Sequence, residues 1–381
     1  MKKRKNKLDY TQEYEDKVYH DLEKELNELY KLCEKDIENK MDNFFNSFEK
    51  KNEKWLKRLK SGELEDYEMN RWEKWHAQGR VSDKDYKRIK KLYDNGKLGE
   101  DLYKRWLEGQ VFQGKMWGER KEILANKIYQ YNDKAYKIIR DKDIDIFTEN
   151  YNYMAFVIEK DAGVFEIGFH VYDNKTIENI IEKDADILPY KKLDKSKDIK
   201  WNFKNFKTEV AKAIIQGESV DKLAKRLAKV VTNRNENEMK KHARTSLNSA
   251  RNQGRLLRME DAEKMGIKIK KRWDATLDFR TRTAHAILDG QVVNMNKSFE
   301  VEGMEIRFPG DPHAHPSLVY NCRCRLDAEI VGYPSSINLR RDNESKEIIE
   351  NMNYKEWYEK KTGEPLPKYK KPRKKRKRKW F

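Results

Sequence analysis

Between residues 278 and 324 the sequence gathers side chains able to bind a metal or move protons. His313, His315, Cys322 and Cys324 lie within a dozen residues, and His285 stands as a fifth candidate. Two Cys and two His can close a tetrahedral zinc site. One residue separates the members of each pair, closer than finger spacing, which places at least two between cysteines. Alternate residues of a strand nevertheless point the same way, so both thiols can face one ion. The plainer reading buries the two cysteines as small apolar side chains and leaves the histidine pair in a solvated loop. Asp278, Arg280, His285 and Asp289 also suit an acid/base cluster acting on a phosphate-containing substrate. On that alternative the chain is a metal-dependent nuclease or nucleotide-modifying effector using the His285/Cys322/Cys324 region. No activated nucleophile or Gly-rich phosphate loop accompanies these residues. The preferred reading therefore has no catalytic residue: Asp278–Arg280 and His285–Asp289 are hydrogen-bonded pairs that fix the turns of a small domain.

A second cluster is purely electrostatic. From Lys368 to Lys379 ten residues in twelve are basic: Lys368, Lys370, Lys371, Arg373, Lys374, Lys375, Arg376, Lys377, Arg378 and Lys379. Self-repulsion and the lack of apolar residues predict a disordered tail over 368–381. Such a run binds phosphates without addressing base edges. The competing reading is a solubilising tail, against which the terminal Trp380-Phe381 pair argues, since it can anchor in a pocket or stack on bases.

Whole-chain composition agrees with an anionic partner. The net charge is +18, with 39% charged and 37% hydrophobic residues over 381 positions. That balance points first to double-stranded DNA and then to acidic protein surfaces, although a Lys-rich solvated protein has the same composition. Cys33, Cys322 and Cys324 make no disulfide framework. The N-terminus MKKRKNKLDY lacks the apolar run of a signal peptide, and no run is long enough to span a bilayer. The expectation is a protein made in a reducing cytoplasm, with no membrane partner.

The elements that must position these groups follow from periodicity. From about Asp9 to Leu59, Val18, Leu22, Leu26, Leu29, Cys33, Ile37, Met41, Phe44 and Phe48 recur at three- and four-residue steps, predicting a long helix whose dry stripe requires a covering face. Residues 63–116 carry many aromatics between Gly62, Gly79, Gly96 and Gly99, predicting short helices with the aromatics in the core. A further helix is predicted over Gly118–Arg140. Tyr151 to Tyr172 reads as a β-hairpin turning at Lys160–Gly163, and Lys183 to Lys200 as a linker. Helices are predicted over Asn202–Val231, with Ser219 as N-cap of the second, and over 235–262, where Gly254 interrupts and Arg244, Arg251, Arg255 and Arg258 form a basic stripe. Ile267–Trp273, Val292-Val293 and Ile306–Phe308 are strand candidates, and Thr281–Leu288 a short helix. The fold class is α+β. The expected domains are a helical, aromatic-rich docking region (1–140), a hairpin and linker (141–200), a compact mixed domain (201–332), a short helical or linker segment (333–367) and the basic tail (368–381).

The motifs of the compact domain have an order. Ala243-Arg244-Thr245 and Asn252-Gln253-Gly254-Arg255 precede Trp273, Ala275-Thr276-Leu277-Asp278, Arg280-Thr281, His285 and Leu288-Asp289-Gly290. Pro309-Gly310-Asp311-Pro312 and Asn321-Cys322-Arg323-Cys324 complete the series. In this order the stretch from about Trp201 to Gly332 resembles the Mu F-like head morphogenesis domain of the minor head proteins of tailed bacteriophages. The resemblance implies a structural role for Arg244, Asp278, Arg280, Thr281, His285, Asp289, Gly290, Asp311, Asn321, Cys322 and Cys324. It also implies a virion component that associates with the portal, coat or scaffold during head assembly, lies inside the capsid near the portal, and contacts packaged DNA during packaging or ejection. No cofactor is implied beyond the structural zinc weighed above. Some members carry an appended toxin or transferase domain, for which the segment after Gly332 is too short.

Overall fold

A computed structural model describes residues 10–113, 115–163, 171–183, 192–216, 220–333 and 339–368. The chain divides into two compact units, each assembled from separated stretches of sequence. One comprises Leu26–Ala135 and Lys192–Asn237; the other comprises Met1–Glu25, Tyr136–Lys191 and Glu238–Phe381.

Helices dominate. α1 (Tyr10–Lys51) is followed by α2 (Glu53–Lys60), α3 (Glu63–Ala77), α4 (Asp83–Asp94) and α5 (Leu98–Gln113). α6 (Lys115–Ala162), α7 (Asn174–Lys183), α8 (Lys195–Gln216) and α9 (Val220–Lys264) complete the helical part. The α1 stripe forms as the periodicity requires, with Leu22, Leu26, Tyr30, Cys33, Ile37, Met41 and Phe44 all buried. This chain supplies the covering face itself. The stripe therefore gives no reason to assign α1 as a docking element, which corrects the rationale for a docking region over 1–140. The α3–α5 segment packs Met69, Ile89 and Leu98 among Trp72, Tyr86, Leu92 and Leu102, so Trp72 and Tyr86 join the core as expected, whereas Tyr67 and Tyr93 are exposed. Gly62 and Gly96, at φ 80° and 63°, end segments as expected. Gly99 lies inside α5.

A polar network fixes the first unit. The Asn132 amide donates to Asn235 Oδ1 at 2.8 Å and to Asp198 Oδ1 at 2.9 Å, Asn235 donates to Asn202 Oδ1 at 2.9 Å, and Tyr30 donates to Asn132. Four helices, α1, α6, α8 and α9, thus meet at side chains whose polar atoms have few orientations that satisfy them all.

Two expectations fail between 141 and 200. Tyr151–Ala162 is not a hairpin strand but the last three turns of α6. Tyr151, Met154, Ala155, Ile158 and Ala162 are buried at helical steps. Tyr, Phe and Val favour strands only weakly, and a long continuous apolar face against another helix overrides that preference. The second half of the supposed hairpin falls largely on 164–170, outside the described residues. Likewise the supposed linker contains the start of α8, which begins at Lys195. α9 runs through the predicted interruption at Gly254. A Cβ there would lie 2.5 Å from the Phe147 carbonyl oxygen of α6, so the glycine permits close helix approach. Ser219, the expected N-cap, lies outside the described residues.

Beyond α9 the chain forms small antiparallel sheets. β1 (Ile269–Asp274) is the middle strand between β2 (Val292–Asn294) and β5 (Arg325–Ile330), with Trp273 opposite Leu326 and Lys271 opposite Ala328. α10 (Thr283–Leu288) connects β1 to β2. The hairpin of β3 (Phe299–Val301) and β4 (Met304–Ile306) turns at Glu302-Gly303, both at positive φ. α11 (Pro316–Val319) precedes β5. Trp273, Phe299, Ile306, Phe308, Leu318 and Leu326 form the centre of the core, onto which Met154, Ile158 and Met259 of α6 and α9 pack. The expected α+β class thus holds, with long helices first and small sheets after.

Residues 339–363 take the helical alternative expected for 333–367 and add a small hairpin before it. β6 (Leu339–Arg341) pairs with β7 (Ile348–Glu350), and α12 (Tyr354–Thr362) follows with a capping box at Asn353 and Glu356. Tyr354 and Trp357 are buried against Leu277 and Ala286. Among the described residues no helix is long and apolar enough to cross a membrane.

Candidate functional site

The motif residues converge where α9, α10 and the loop before β5 meet. Asn252 of α9 is fully buried, and its amide nitrogen donates to Pro309 O at 2.8 Å and Cys324 O at 3.1 Å, while its oxygen accepts from Leu326 N at 2.8 Å. One side chain therefore ties the helix to the Pro309–Asp311 turn and to the cysteine loop. Gly310 lies at that turn with φ +87°, and a Cβ on it would come 3.1 Å from the Ser249 Cα. Asp311 closes the turn by accepting from Arg307 Nε at 2.9 Å and His313 N at 3.0 Å.

The basic stripe of α9 turns inward along most of its length. Arg255 is 1% exposed and donates to Asn150 Oδ1 at 2.8 Å, Asp327 Oδ1 at 2.8 Å and Thr11 Oγ1 at 3.0 Å. Arg258 lies 3.9 Å over the Tyr151 ring, and Arg251 pairs with Glu15 at 2.9 Å. Arg244 remains half exposed and holds Glu23 at 3.0 Å.

Asp278 and Asp289 are both saturated with donors. Asp278 accepts both guanidinium nitrogens of Arg323, Nη2 at 2.7 Å, together with the Arg280 backbone N–H at 3.1 Å and Thr281 Oγ1 at 3.3 Å. Burial pushes its carboxyl up, but the Arg323 hydrogen bonds and charge outweigh that and hold it below the ordinary aspartate value. Its pair with Arg280 exists at 3.3 Å. The expected His285–Asp289 pair does not form. α10 ends at Leu288, and Asp289, at φ −58° and ψ 129°, has already left the helix, so the four-residue spacing does not share a face. Asp289 instead accepts from Ala275 N, Tyr354 N and both Arg340 nitrogens at 2.6 and 2.9 Å. Gly290 follows at φ +77° and donates to Trp273 O at 2.8 Å.

His285 faces the cysteines. Its Nδ1 lies 3.1 Å from Cys324 Sγ and 3.5 Å from Cys322 Sγ, and the three residues are 2%, 2% and 3% exposed. Burial raises both thiols. For Cys322 the Cys324 hydrogen bond and the His285 charge overcome it, so Cys322 lies below the ordinary thiol value and Cys324 above it. His313 and His315 are exposed and outside this group. His315 instead caps α11, its Nδ1 accepting from Ser317 N at 3.3 Å. The five candidate metal ligands thus reduce to three. Asn321, at φ 53°, makes the sharp entry into the cysteine loop.

Of the tail, Lys368 is described and exposed. Lys370, Lys371, Arg373, Lys374, Lys375, Arg376, Lys377, Arg378 and Lys379 lie outside the described residues.

With this arrangement in view, comparison with known proteins is direct. The model of the family described as Phage Mu protein F like protein matches residues 204–327. The chain is 29% identical over 216 residues to the minor head protein GP7 of Bacillus phage SPP1, covering 55% of this chain and 68% of that one. It is 41% identical over 99 residues to the NAD(+)--arginine ADP-ribosyltransferase EFV of Enterococcus faecalis (strain ATCC 700802 / V583), covering 26% of this chain. The chain spans a fifth (20%) of that transferase's length. No solved structure matches it. These likenesses support a Mu F-like head morphogenesis family for the segment 204–327.

Proposed function

We propose that the chain is a structural minor head protein of a tailed phage that joins the portal or inner capsid wall during head assembly and contacts packaged DNA non-specifically through residues 368–379. The observation that carries this reading is the GP7 likeness, which extends over 55% of the chain, well beyond the Mu F-like segment. The chemistry of the motif residues supports it. Asp278 and Asp289 spend their oxygens on internal donors, and Asp278, held below its ordinary pKa, is a poor proton shuttle. The motif residues are thus those that fasten turns together. The transferase relative is matched over 20% of its length, so its activity is not carried over.

The test is the protein composition of purified proheads and mature particles, with cross-linking of the chain in proheads. The reading expects the chain in both, with cross-links to portal, coat or scaffold. Its absence from both particles, or a chain cross-linked to no head protein, refutes it.

A further inference from the structure

We propose that His285, Cys322 and Cys324 bind a single zinc ion as a structural clamp, with the fourth coordination position filled by a small exogenous ligand. The three ligand atoms lie within 4.8 Å of one another. Bond lengths of about 2.3 Å to sulfur and 2.0–2.1 Å to nitrogen put a nitrogen–sulfur edge of a zinc tetrahedron at roughly 3.5 Å. The observed edges, 3.1 and 3.5 Å, are at or just inside that value, so seating the ion requires a few tenths of an ångström of expansion.

The backbone already holds this geometry by other means. Cys324 O accepts from Arg251 and Asn252, and Arg323 O accepts from Thr276 Oγ1 at 2.9 Å. Arg323 reaches Asp278 at 2.7 Å, and the cysteines on either side of it reach His285. This alternation overcomes the short spacing of the two thiols. The Trp273 ring packs on the imidazole at 5.8 Å and 76°, fixing its plane.

Charge favours the ion in so dry a place. Two thiolates neutralise a divalent cation, so a zinc centre with a neutral imidazole carries no net charge and avoids the cost of burying one. Binding releases two thiol protons to solvent. His285 Nε2 has no hydrogen-bond partner among the described residues. The mixed nitrogen–thiolate donor set suits zinc over magnesium or calcium.

The test uses the full chain, purified without chelator and titrated with zinc sulfate. Native mass spectrometry should find one zinc per chain, lost on acidification. Cobalt should give thiolate-to-metal charge-transfer and tetrahedral d–d absorption. Stripping the metal with a chelator should lower the thermal midpoint. His285→Ala and Cys322→Ser should abolish the cobalt spectrum, whereas His285→Cys should restore it with a third thiolate. Cys33→Ser should leave it intact. A folded wild-type chain that takes up no zinc and keeps its thermal midpoint in chelator overturns the proposal, as does a Cys322–Cys324 disulfide in the protein as isolated. These readouts need no phage particle, so they are independent of the head-protein reading.

Discussion

Arg340 grips Asp289 with both prongs of its guanidinium, at 2.6 and 2.9 Å, and the Asp289 side chain is completely buried. Arg340 lies in β6, beyond the 204–327 segment that matches the family. Removing it leaves an unpaired buried carboxylate. Arg340→Ala should therefore destabilise the protein by about 3–5 kcal/mol in urea unfolding. The double variant with Asp289→Ala should cost less than the sum of the two single ones. Strict additivity would show that the two side chains act separately.

Asn252 makes three bonds that bridge helix, turn and strand. Asn252→Ala strands the Pro309 carbonyl and the Leu326 N–H in the core and removes one of the two donors to Cys324 O. A loss of about 2–3 kcal/mol is expected by chemical denaturation. A loss below half a kilocalorie, as at an ordinary surface position, would contradict this role.

Gly254 is argued to be a contact glycine and not a flexible one. Gly254→Ala places a methyl group 2.5 Å from the Phe147 carbonyl oxygen, and backbone cannot swing aside as a side chain can. A loss of about 1–3 kcal/mol is expected, although alanine is the better helix former by about 1 kcal/mol. A rise in thermal midpoint would refute the close approach.

Asp143 gives a pH signature. Burial pushes its carboxyl up to about 7; Ser246 donates to one oxygen, and the other has no hydrogen-bond partner among the described residues. The fold prefers the protonated form. The corresponding stability is therefore fully present below the unfolded value near pH 4 and is lost as pH rises through about 7. Asp143→Asn should stabilise the protein relative to wild type at pH 8, by at most about 4 kcal/mol, and leave its stability unchanged at pH 4. An equal effect at both pH values would contradict the assignment.

The tail is tested by salt. If all ten basic residues of 368–379 engage phosphates, log affinity for duplex DNA should fall with log salt at a slope of about −9. A chain ending at Pro367 should lose that slope, and scrambling the DNA sequence should change nothing. Salt-insensitive or sequence-selective binding would overturn the DNA contact.

The comparison between sequence and structure divides along contact distance. The α1 stripe was legible because Leu22, Leu26, Cys33 and Ile37 report a helix face through local spacing alone. The strands β1 and β2 and the helix α10 were legible for the same reason. Tyr151–Ala162 was not, since its aromatic and β-branched residues suit either element until α9 is present to cover them. Arg251, Arg255 and Arg258 read only as a basic stripe because their partners, Glu15, Asp327 and Tyr151, lie far off in sequence. Of the five candidate ligands, His285, Cys322 and Cys324 converged, while His313 and His315 stayed on the surface; no spacing rule separates the two outcomes. Asn252, Arg323, Arg340 and Tyr354 were missed as site residues, although Asn252 and Arg323 stood inside the motif blocks.

Arg255 joins Thr11, Asn150 and Asp327 at a single guanidinium. On the ribosome, Arg255 finds Thr11 and Asn150 already made but must wait a further 72 positions for Asp327. A nascent fragment stopped short of β5 lacks Asp327 beside this cation. Closure of the core around Arg255 is therefore expected only once β5 has been made, and chains that stop short of it should be more open to proteolysis.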